Sequence, residues 1–206
     1  MLYARLQTVS VIQDRDEGEI AERGLMKIVP GHPGFAGLWL MEAVEDTAGG
    51  ALLTLWRTEE DARLASARTE EKRPGPRPVS LFNDRIYEVE GRFEGPDAAR
   101  PPGAAVIVYF DGAHDDDWIA SARYAHDKRI VPVMRRVPGM IGGFALWSPD
   151  QRDGAVFTLA VSLEALARAE KAVNSTELLP GENPALLTGP DRAVVHRVSG
   201  YVGAPV

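Results

Sequence analysis

Cysteine is absent from the 206 residues, which excludes disulfide bonds, thiolate nucleophiles and cysteine-based metal sites together. The sequence also has no apolar run of the length that a membrane-spanning helix needs, and its N-terminus lacks a basic region followed by a long apolar core. We therefore expect a protein that is neither exported nor membrane-spanning. The reducing cytoplasm is its simplest location.

An excess of positive charge is missing too, since 23 Lys and Arg stand against 30 Asp and Glu, for a net charge of -7. Proteins that bind nucleic acid or anionic lipid usually carry a basic stripe, and none occurs here. The sequence thus predicts no nucleic-acid and no membrane partner. Its 45% hydrophobic and 26% charged residues are typical of a folded globular protein.

The most informative feature of the sequence is a segment that occurs twice. Pro33-Gly34-Phe35-Ala36-Gly37 opens an apolar run that ends Leu38-Trp39-Leu40-Met41. Pro138-Gly139-Met140-Ile141-Gly142 opens another that ends Phe144-Ala145-Leu146-Trp147. Each run follows a helix-like segment that ends in the tripeptide Ile-Val-Pro, at positions 28–30 and 130–132. The chain is therefore interpreted as a duplication.

Other landmarks repeat at a nearly constant spacing. Pro33 and Pro138 are 105 positions apart (138 − 33), and the expected helix caps Thr58 and Ser162 are 104 apart (162 − 58). Small changes in spacing are what loops of different length produce in a duplicated unit. We predict repeat 1 at residues 1–93, a Pro- and Gly-rich interdomain linker at 94–103 and repeat 2 at residues 104–206.

Each half is predicted to run strand, helix, strand, strand, helix, strand. The expected strands are 2–12, 35–41, 51–56 and 85–93 in the first half, and 105–110, 140–147, 155–161 and 193–202 in the second. The expected helices run from about 14 to Pro30, from the Thr58 capping box to about Arg73 before a Pro-rich break at 74–78, from His114 to about Arg136, and from Ser162 to about 175. This is the α+β, ferredoxin-like (βαββαβ) plan, with both helices on one face of an antiparallel sheet.

The central strands of both halves are almost continuously apolar, which indicates that both faces of each sheet are covered. A second copy in the same chain supplies the surface that would cover the face without helices. We therefore expect two antiparallel sheets packed face to face as an intrachain barrel, a pseudo-dimer within one chain. Further self-association of the chain stays open.

At this point the residues carry a resemblance. The Pro-Gly-Phe-x-Gly strand start, followed by Leu-Leu-Thr-Leu-Trp-Arg-Thr-Glu-Glu at 52–60, resembles the dimeric α/β-barrel superfamily and, within it, the antibiotic biosynthesis monooxygenase-like (ABM) domains. In those domains this strand typically ends in a Trp, a charged residue and a Ser or Thr cap, as at 56–58 here. The second half keeps the frame but has Ala160 in place of Trp56 and Met140 in place of Phe35.

The resemblance implies a cofactor-independent monooxygenase that acts on a small aromatic or quinone-type compound in an apolar cavity, with no cofactor and no metal. Such a reaction needs a desolvated pocket and one or two polar groups that hold an enolate-like oxygen and move a proton. The candidate catalytic residues are Tyr87 and His196, which occupy matching positions in the two halves, and His126, which lies on an apolar helical stripe. The candidate pocket-lining residues are the large aromatic residues Trp39, Trp56, Trp118 and Phe144.

These residues also have ordinary structural interpretations. Large aromatic side chains such as Trp56 dominate core burial, and His196 fits a hydrogen-bonded residue within a strand. His32, in a Pro-Gly turn, and His114, at an expected helix N-cap, are predicted to face solvent. A non-enzymatic small-molecule-binding or accessory protein of the same fold is therefore the alternative function.

Two kinds of cofactor site are disfavoured. The haem-degrading branch of the superfamily usually takes an axial His from the second helix of the unit, and no His lies between Thr58 and Arg73 or between Ser162 and Ser175. The sequence has neither a His pair at ligand spacing nor a dense cluster of His with Asp or Glu, which argues against a metal site. Its glycine pairs are not placed at strand-loop-helix junctions, so a phosphate loop is not predicted either.

Overall fold

The computed structural model describes residues 1–11, 23–46, 49–72 and 79–203. Its strands are β1 Tyr3–Val11, β2 Phe35–Ala43, β3 Gly49–Trp56, β4 Val79–Glu94, β5 Ala104–Phe110, β6 Met140–Ser148, β7 Asp153–Ala160 and β8 Arg192–Val202. Its helices are α1 (residues 23–28), α2 Glu59–Lys72, α3 Asp116–Ala125, α4 Val131–Met134 and α5 Leu163–Asn174. A π turn, His126–Ile130, joins α3 to α4.

Hydrogen bonds join the eight strands in the order β1-β3-β2-β8-β5-β7-β6-β4, which is the order of a closed antiparallel barrel. The α+β class and the antiparallel barrel expected from the sequence are confirmed at this level. The chain divides into two compact units, with Met1–Val89 and the residues from Val195 in unit 1 and Glu90–Val194 in unit 2. Strand β4, at 16 residues, and β8, at 11, each run from one unit into the other.

In unit 1 the helices cover one face of the strands β4-β1-β3-β2-β8. The core on this face is an apolar cluster of Val29, Leu38, Leu40, Trp56, Ala62 and Ala65, with Leu25, Met26 and Phe35 packed against it. Arg5 also points to this face, where it donates to the Ala62 carbonyl of α2 at 2.9 Å and to both carboxylate oxygens of Asp84 on β4. One arginine therefore joins β1 to α2 and to β4.

In unit 2 the helices cover one face of the strands β8-β5-β7-β6-β4. The core there is the cluster of Phe93, Ala104, Val131, Met134, Val137, Met140, Ala160, Ala165, Leu166 and Ala169. Burial of these side chains at roughly 25 cal/mol per Å² supplies most of the driving force for docking the helices on the sheet. The faces of both sheets that lie away from the helices are called here the non-helical faces.

The expected helix caps are present. The Thr58 hydroxyl accepts the backbone N–H of Asp61 at 3.1 Å, and the Ser162 hydroxyl accepts that of Ala165 at 3.4 Å. These bonds satisfy N–H groups that have no partner within the helix, and they explain why α2 and α5 begin where the sequence predicts.

The helix expected from His114 to Arg136 differs in two ways. Its N-cap is Asp115, whose carboxylate accepts the Trp118 N–H at 2.8 Å, and not His114. Its middle is widened into the π turn, in which the Val131 N–H bonds to the His126 carbonyl. Pro132 explains the widening, because a proline has no N–H to give and its ring clashes with the carbonyl four residues before it in a regular helix.

The segment 94–103 is bonded to unit 2. The backbone N–H groups of Gly95 and Asp97 donate to the carbonyls of Ile141 and Met140 at 2.8 and 2.9 Å. The Asp97 carboxylate in turn accepts the Gly139 N–H at 2.6 Å. The start of this segment is therefore attached to the beginning of β6.

Several expectations concern residues outside the described ranges. They are the start of the first helix at about position 14, the end of the first strand at Ile12 and the Pro-rich break at 74–78. Within the described part of the chain, no helix is long and apolar enough to cross a membrane.

Candidate functional site

Most of the aromatic candidates lie on the non-helical faces. Strand alternation places Tyr87 opposite Ala4 and Trp39 opposite Leu53, and all four side chains point away from α1 and α2. Each of them is buried. The non-helical face of unit 1 is therefore apolar with a few polar groups, as a site for a small aromatic compound requires.

Tyr87 and His196 lie apart in the strand ladder of unit 1. Residues opposite one another on successive strands form a row across the sheet, and the row of Tyr87 includes Ala4 of β1. The row of Arg197, the residue next to His196, runs through Glu42 and Gly50 to Val9 of β1. These rows cross β1 five residues apart, which is roughly 17 Å along an extended strand. The two residues also lie on β4 and β8, the outer strands of the unit's order. The ladder of this unit thus does not place them side by side.

His126 lies on the other face of the sheet from Phe144. Its ring is next to Gly91 of β4, at which a Cβ would lie 4.0 Å from His126 Cε1 and 3.7 Å from the Ala145 Cβ. Ala145 and Phe144 are consecutive strand residues and therefore point to opposite faces. The His126 Nδ1 lies 3.0 Å from a carboxylate oxygen of Asp127, and 15% of the side chain is exposed. The structure thus places the His126 ring, at the start of the π turn, against the sheet.

Trp56 packs on the helix side of unit 1. Its indole N–H donates to the Thr54 hydroxyl at 2.8 Å, and its ring meets Phe35 edge-on with centroids 5.9 Å apart. The residue is fully buried under Ala62 and Ala65 of α2. These contacts correspond to the packing interpretation of Trp56.

Two histidine expectations need correction. His32 is buried, not solvated, and its Nε2 lies 3.1 Å from the Thr69 hydroxyl, because the turn docks against the last turns of α2. His114 is only partly exposed, since its ring stacks on Trp118 with centroids 3.6 Å apart. Trp118 also meets Phe110 edge-on at 5.5 Å, so this candidate lies on the helix side of unit 2.

Aromatic rings form the middle of the non-helical face of unit 2. Phe144 on β6 and Phe157 on β7 are a cross-strand pair with nearly parallel rings, 6.1 Å between centroids, and Ile107 on β5 is the next residue in the same row. Phe144 thus lies on the non-helical face, and its expected part in lining a pocket stays a prediction. In the adjoining row, Leu146, Ala155 and Tyr109 continue the face.

This face ends in polar side chains that the sequence analysis did not select. Asp153 and Ser148 are opposite each other on β7 and β6, and both are 7% exposed. Tyr109, 1% exposed, is opposite Ala155, two positions along β7 from Asp153 and on the same face. The sequence expectation begins this strand at residue 155, which leaves Asp153 outside it. The available signal was the polar Ser148 at the end of an otherwise apolar run.

Arg192 and Asp111 cover Tyr109 at this end of the sheet. The Arg192 guanidinium lies 3.4 Å from the centre of the Tyr109 ring, and its Nε–H donates to Asp111 at 2.8 Å. Burial lowers the pKa of Arg192, but the hydrogen bond to Asp111 and the proximity of Tyr109 raise it more, so the net direction is upward. Arg192 is therefore a fixed positive charge over a buried phenol.

Within the described ranges, no group of three or more His, Asp and Glu side chains is arranged to hold a metal ion. Helices α2 and α5 contain no histidine, so neither supplies the axial ligand that the haem-degrading branch would need.

Comparison with solved structures finds the same fold at low sequence identity. A proposed monooxygenase from Fusobacterium nucleatum has a TM-score of 0.69 at 12% identity, over 98% of this chain and 94% of that chain. An anthrone oxidase-like protein has a TM-score of 0.57 at 14% identity, over 98% and 93%. A mutant chlorite dismutase from Candidatus Nitrospira defluvii has a TM-score of 0.63 at 15% identity, over 97% and 92%.

These comparisons agree with the dimeric α/β-barrel fold and, at such low identity, show the fold alone. No family profile matches the chain, and no curated protein matches its sequence.

Proposed function

We propose that the protein is a cofactor-independent monooxygenase that acts on a small aromatic or quinone-type compound. The observation that supports it best is the pair of apolar non-helical faces, on which aromatic rings adjoin a few buried polar side chains. An environment of this kind desolvates an aromatic substrate and lets one polar group control its ionisation. The names of the similar structures, a proposed monooxygenase and an anthrone oxidase-like protein, point to the same class.

The proposed reaction inserts one atom of O₂ into an activated C–H position of a hydroxylated aromatic ring system. For an anthrone-type methylene group, two C–H bonds break and a C=O bond forms. The second oxygen atom leaves as water with both hydrogens. Ionisation of the substrate raises its electron density, and O₂ is the only oxidant. The protein's part is to bind the ring, exclude water and hold the ionised oxygen.

Tyr87 and His196 are proposed as polar groups of this reaction in unit 1. Both are buried, at 4% and 2% exposure, so each would meet a substrate in a desolvated environment. Because their rows lie apart in the ladder, we propose separate roles, with Tyr87 holding an oxygen beside Trp39 and His196 moving a proton. His126 lies on the helix side of unit 2, beside Gly91 of β4. It is proposed to support the reaction by holding this part of β4 in place, and not by contact with substrate.

We also propose that the chain is a tandem pair of ABM-like repeats that replaces a two-chain barrel. Two observations support it. The register shifts between Phe35 and Gly37 in unit 1 and between Met140 and Gly142 in unit 2, at matching places. The preceding glycines, Gly34 and Gly139, both have positive φ, at 73° and 92°. A monomer by light scattering is expected; an obligate dimer would contradict this part of the proposal.

Oxygen consumption tests the function. Purified protein is mixed with anthrone, with 1-naphthol and with 1,4-naphthoquinol in a sealed oxygen-electrode cell, after dialysis against a chelator. We expect protein-dependent O₂ uptake with one of these compounds and one mole of oxygenated product for each mole of O₂. Denatured protein is the control for spontaneous oxidation. Uptake that does not exceed this control with any of the compounds would argue against the oxygenase.

A binding or accessory protein of the same fold is the second candidate, with a small apolar or aromatic molecule as its partner. The nearly complete burial of Trp39 and Phe144, at 1% and 2% exposure, favours it, because residues that only pack are buried in the same way. Its expected signature is an increase in melting temperature with a phenol or a quinone and no O₂ uptake. A cytoplasmic location is proposed with either function, on the absence of cysteine.

A further inference from the structure

The polar end of unit 2 differs from the same positions in unit 1. The first ladder pairs are Tyr3 with Trp56 in unit 1 and Ala104 with Ala160 in unit 2. Seven positions further on, unit 1 has the pair Ser10 and Gly49, whereas unit 2 has Asp111, the residue after β5, and Asp153, the first residue of β7. Two faces built on one plan thus carry small neutral residues in one unit and two carboxylates in the other.

The difference extends to neighbouring strands. At the spacing of 105 positions, Ala43 corresponds to Ser148 (148 − 105), and Tyr109 takes the place of Thr8 in the ladder. The carboxylate of Asp153, the hydroxyl of Ser148 and the phenol of Tyr109 are buried, and such groups are costly to place in a core unless they are hydrogen bonded or used. Their concentration in unit 2 distinguishes the two units chemically.

We propose that this polar end, made of Tyr109, Asp153 and Ser148 with the Asp111–Arg192 pair, is where a planar hydroxylated aromatic compound binds through its hydroxyl group and is ionised. This inference rests on the proposed oxygenase and adds to it a second binding place, in unit 2, besides the roles proposed for Tyr87 and His196 in unit 1. The parallel rings of Phe144 and Phe157, two rows away on the same face, supply the surface against which the aromatic ring of the ligand packs.

The chemistry of the ionisation follows from the side chains. The ligand's O–H bond breaks and its proton passes to the Asp153 carboxylate, while the electron pair stays on the ligand as a phenolate. The Tyr109 hydroxyl donates a hydrogen bond to that oxygen, and the positive charge of Arg192 lies next to it. Nothing is oxidised or reduced in this step. Arg192 is a positioning residue, because it acts through the Tyr109 ring and through its charge.

We expect a ligand to reach the buried residues past the Arg192–Asp111 ion pair. The side chains of Arg192 and Asp111 are 42% and 53% exposed, whereas Tyr109, on which Arg192 lies, is buried. Asp191 attaches the loop before β8 to the end of β5, since its carboxylate accepts the Asp111 N–H at 2.7 Å and its N–H donates to the Tyr109 carbonyl at 3.0 Å.

A matched pair of probes tests the site without oxygen. 2-Naphthol carries the hydroxyl group, and 2-methoxynaphthalene has the same ring system without the acidic proton. 2-Naphthol is excited beyond the absorption band of the 4 tryptophans, and its neutral and ionised forms emit at different wavelengths, so the emission reports a proton acceptor at the bound hydroxyl. The preference is the ratio of the affinity for 2-naphthol to that for 2-methoxynaphthalene. We expect it to be about tenfold or greater, which is what one hydrogen bond to a charged group contributes.

Asp153→Asn is the decisive variant. It is expected to reduce the preference to about twofold, which is what a neutral hydrogen bond would leave, and to decrease the naphtholate emission. Tyr109→Phe, which keeps the ring under Arg192, is the second variant in case Asp153→Asn does not fold, and should reduce the preference about fivefold. Equal affinity of the intact protein for both probes, no binding of either probe, or an unchanged preference in a folded variant would overturn the proposal.

Arg192→Gln has a matched control in the same unit. Arg123 is also paired with a carboxylate, Glu90, and also lies over an aromatic ring, that of Trp147, at 5.8 Å. Arg192→Gln should decrease the preference for 2-naphthol at least threefold, and Arg123→Gln should leave it unchanged; equal effects would overturn the assignment of Arg192.

An intact preference in a protein that consumes no O₂ would reject the oxygenase and keep the site. O₂ uptake by Asp153→Asn at the original rate would reject the site and keep the oxygenase.

Discussion

The Arg129 Nε–H donates to both carboxylate oxygens of Glu182, each at 2.9 Å. The Glu182 side chain has no exposed surface, and the same carboxylate accepts the backbone N–H of Leu179. Close by, the Tyr124 hydroxyl donates to the Pro180 carbonyl at 3.1 Å. The loop that follows α5 is thereby attached to α3 and the π turn, within unit 2.

This pair predicts a pH-dependent stability. Burial raises the pKa of Glu182, but the hydrogen bonds from Leu179 and Arg129 and the charge of Arg129 lower it more, so the pKa lies below its ordinary 4.5. The contribution of Glu182 to stability is therefore full above the pKa of the unfolded chain and is lost as the pH falls through the lower, folded value.

Glu182→Gln should accordingly lower the free energy of unfolding at neutral pH, and the difference from the parent protein should shrink below about pH 4. Urea unfolding of both proteins at a series of pH values measures it. The exposed Arg63–Glu59 pair offers the control Glu59→Gln, which should change little at any pH. A difference that stays constant with pH would contradict the assignment.

Replacing Gly139 with Ala should destabilise the protein much more than replacing Gly112 with Ala. Both have positive φ, at 92° and 88°, but a Cβ at Gly139 would lie 2.7 Å from the Ala165 Cβ, whereas nothing lies within 4 Å at Gly112. Gly112→Ala should therefore lower the free energy of unfolding by about 1 kcal/mol, the cost of placing a side chain at positive φ. Gly139→Ala should lower it by about 2–4 kcal/mol, because α5 must also move. Denaturant unfolding of the two variants compares these costs; equal losses would show that packing against α5 is unimportant.

Arg5 should contribute much more to the stability of the fold than a surface arginine does. Replacing Arg5 with Gln removes its bonds to Asp84 and to the Ala62 carbonyl in a nearly buried place, and about 2–4 kcal/mol of stability should be lost. Arg63→Gln is the control, since its pair with Glu59 is largely exposed and should cost at most about 0.5 kcal/mol. Similar melting temperatures for the two variants would mean that Arg5 does not hold α2 to the sheet.

The proposed roles of Tyr87 and His196 predict a loss of activity without a matching loss of stability. Tyr87→Phe and His196→Gln should slow O₂ uptake by about tenfold or more, the size of a lost acid or base, with a smaller change in melting temperature. Tyr124→Phe is the control for the first, because the Tyr124 side chain is exposed and its hydroxyl donates to the Pro180 carbonyl. Stability and activity that fall in parallel would assign both residues to packing.

Local features were predictable because nearby residues determine them. The Thr58 and Ser162 caps and the glycine turns at 34 and 139 lie where the sequence places them, since each depends on a hydroxyl, a chain reversal or a positive φ within a few residues. The π turn was not predicted, although its cause, Pro132, is in the sequence, because a proline within a helix can be accommodated by a kink, a break or a widened turn.

The sequence by itself determined the α+β class, the order of the strands and the apolar character of both sheet faces, because hydrophobic periodicity and turn residues act over short distances. Only the tertiary structure decided which polar residues share a face. Asp153 is opposite Ser148 because of the register between β6 and β7. Tyr109 lies under Arg192 because folding brings together two residues that are far apart in the chain. A shift of one residue in register would turn each of these side chains to the other face.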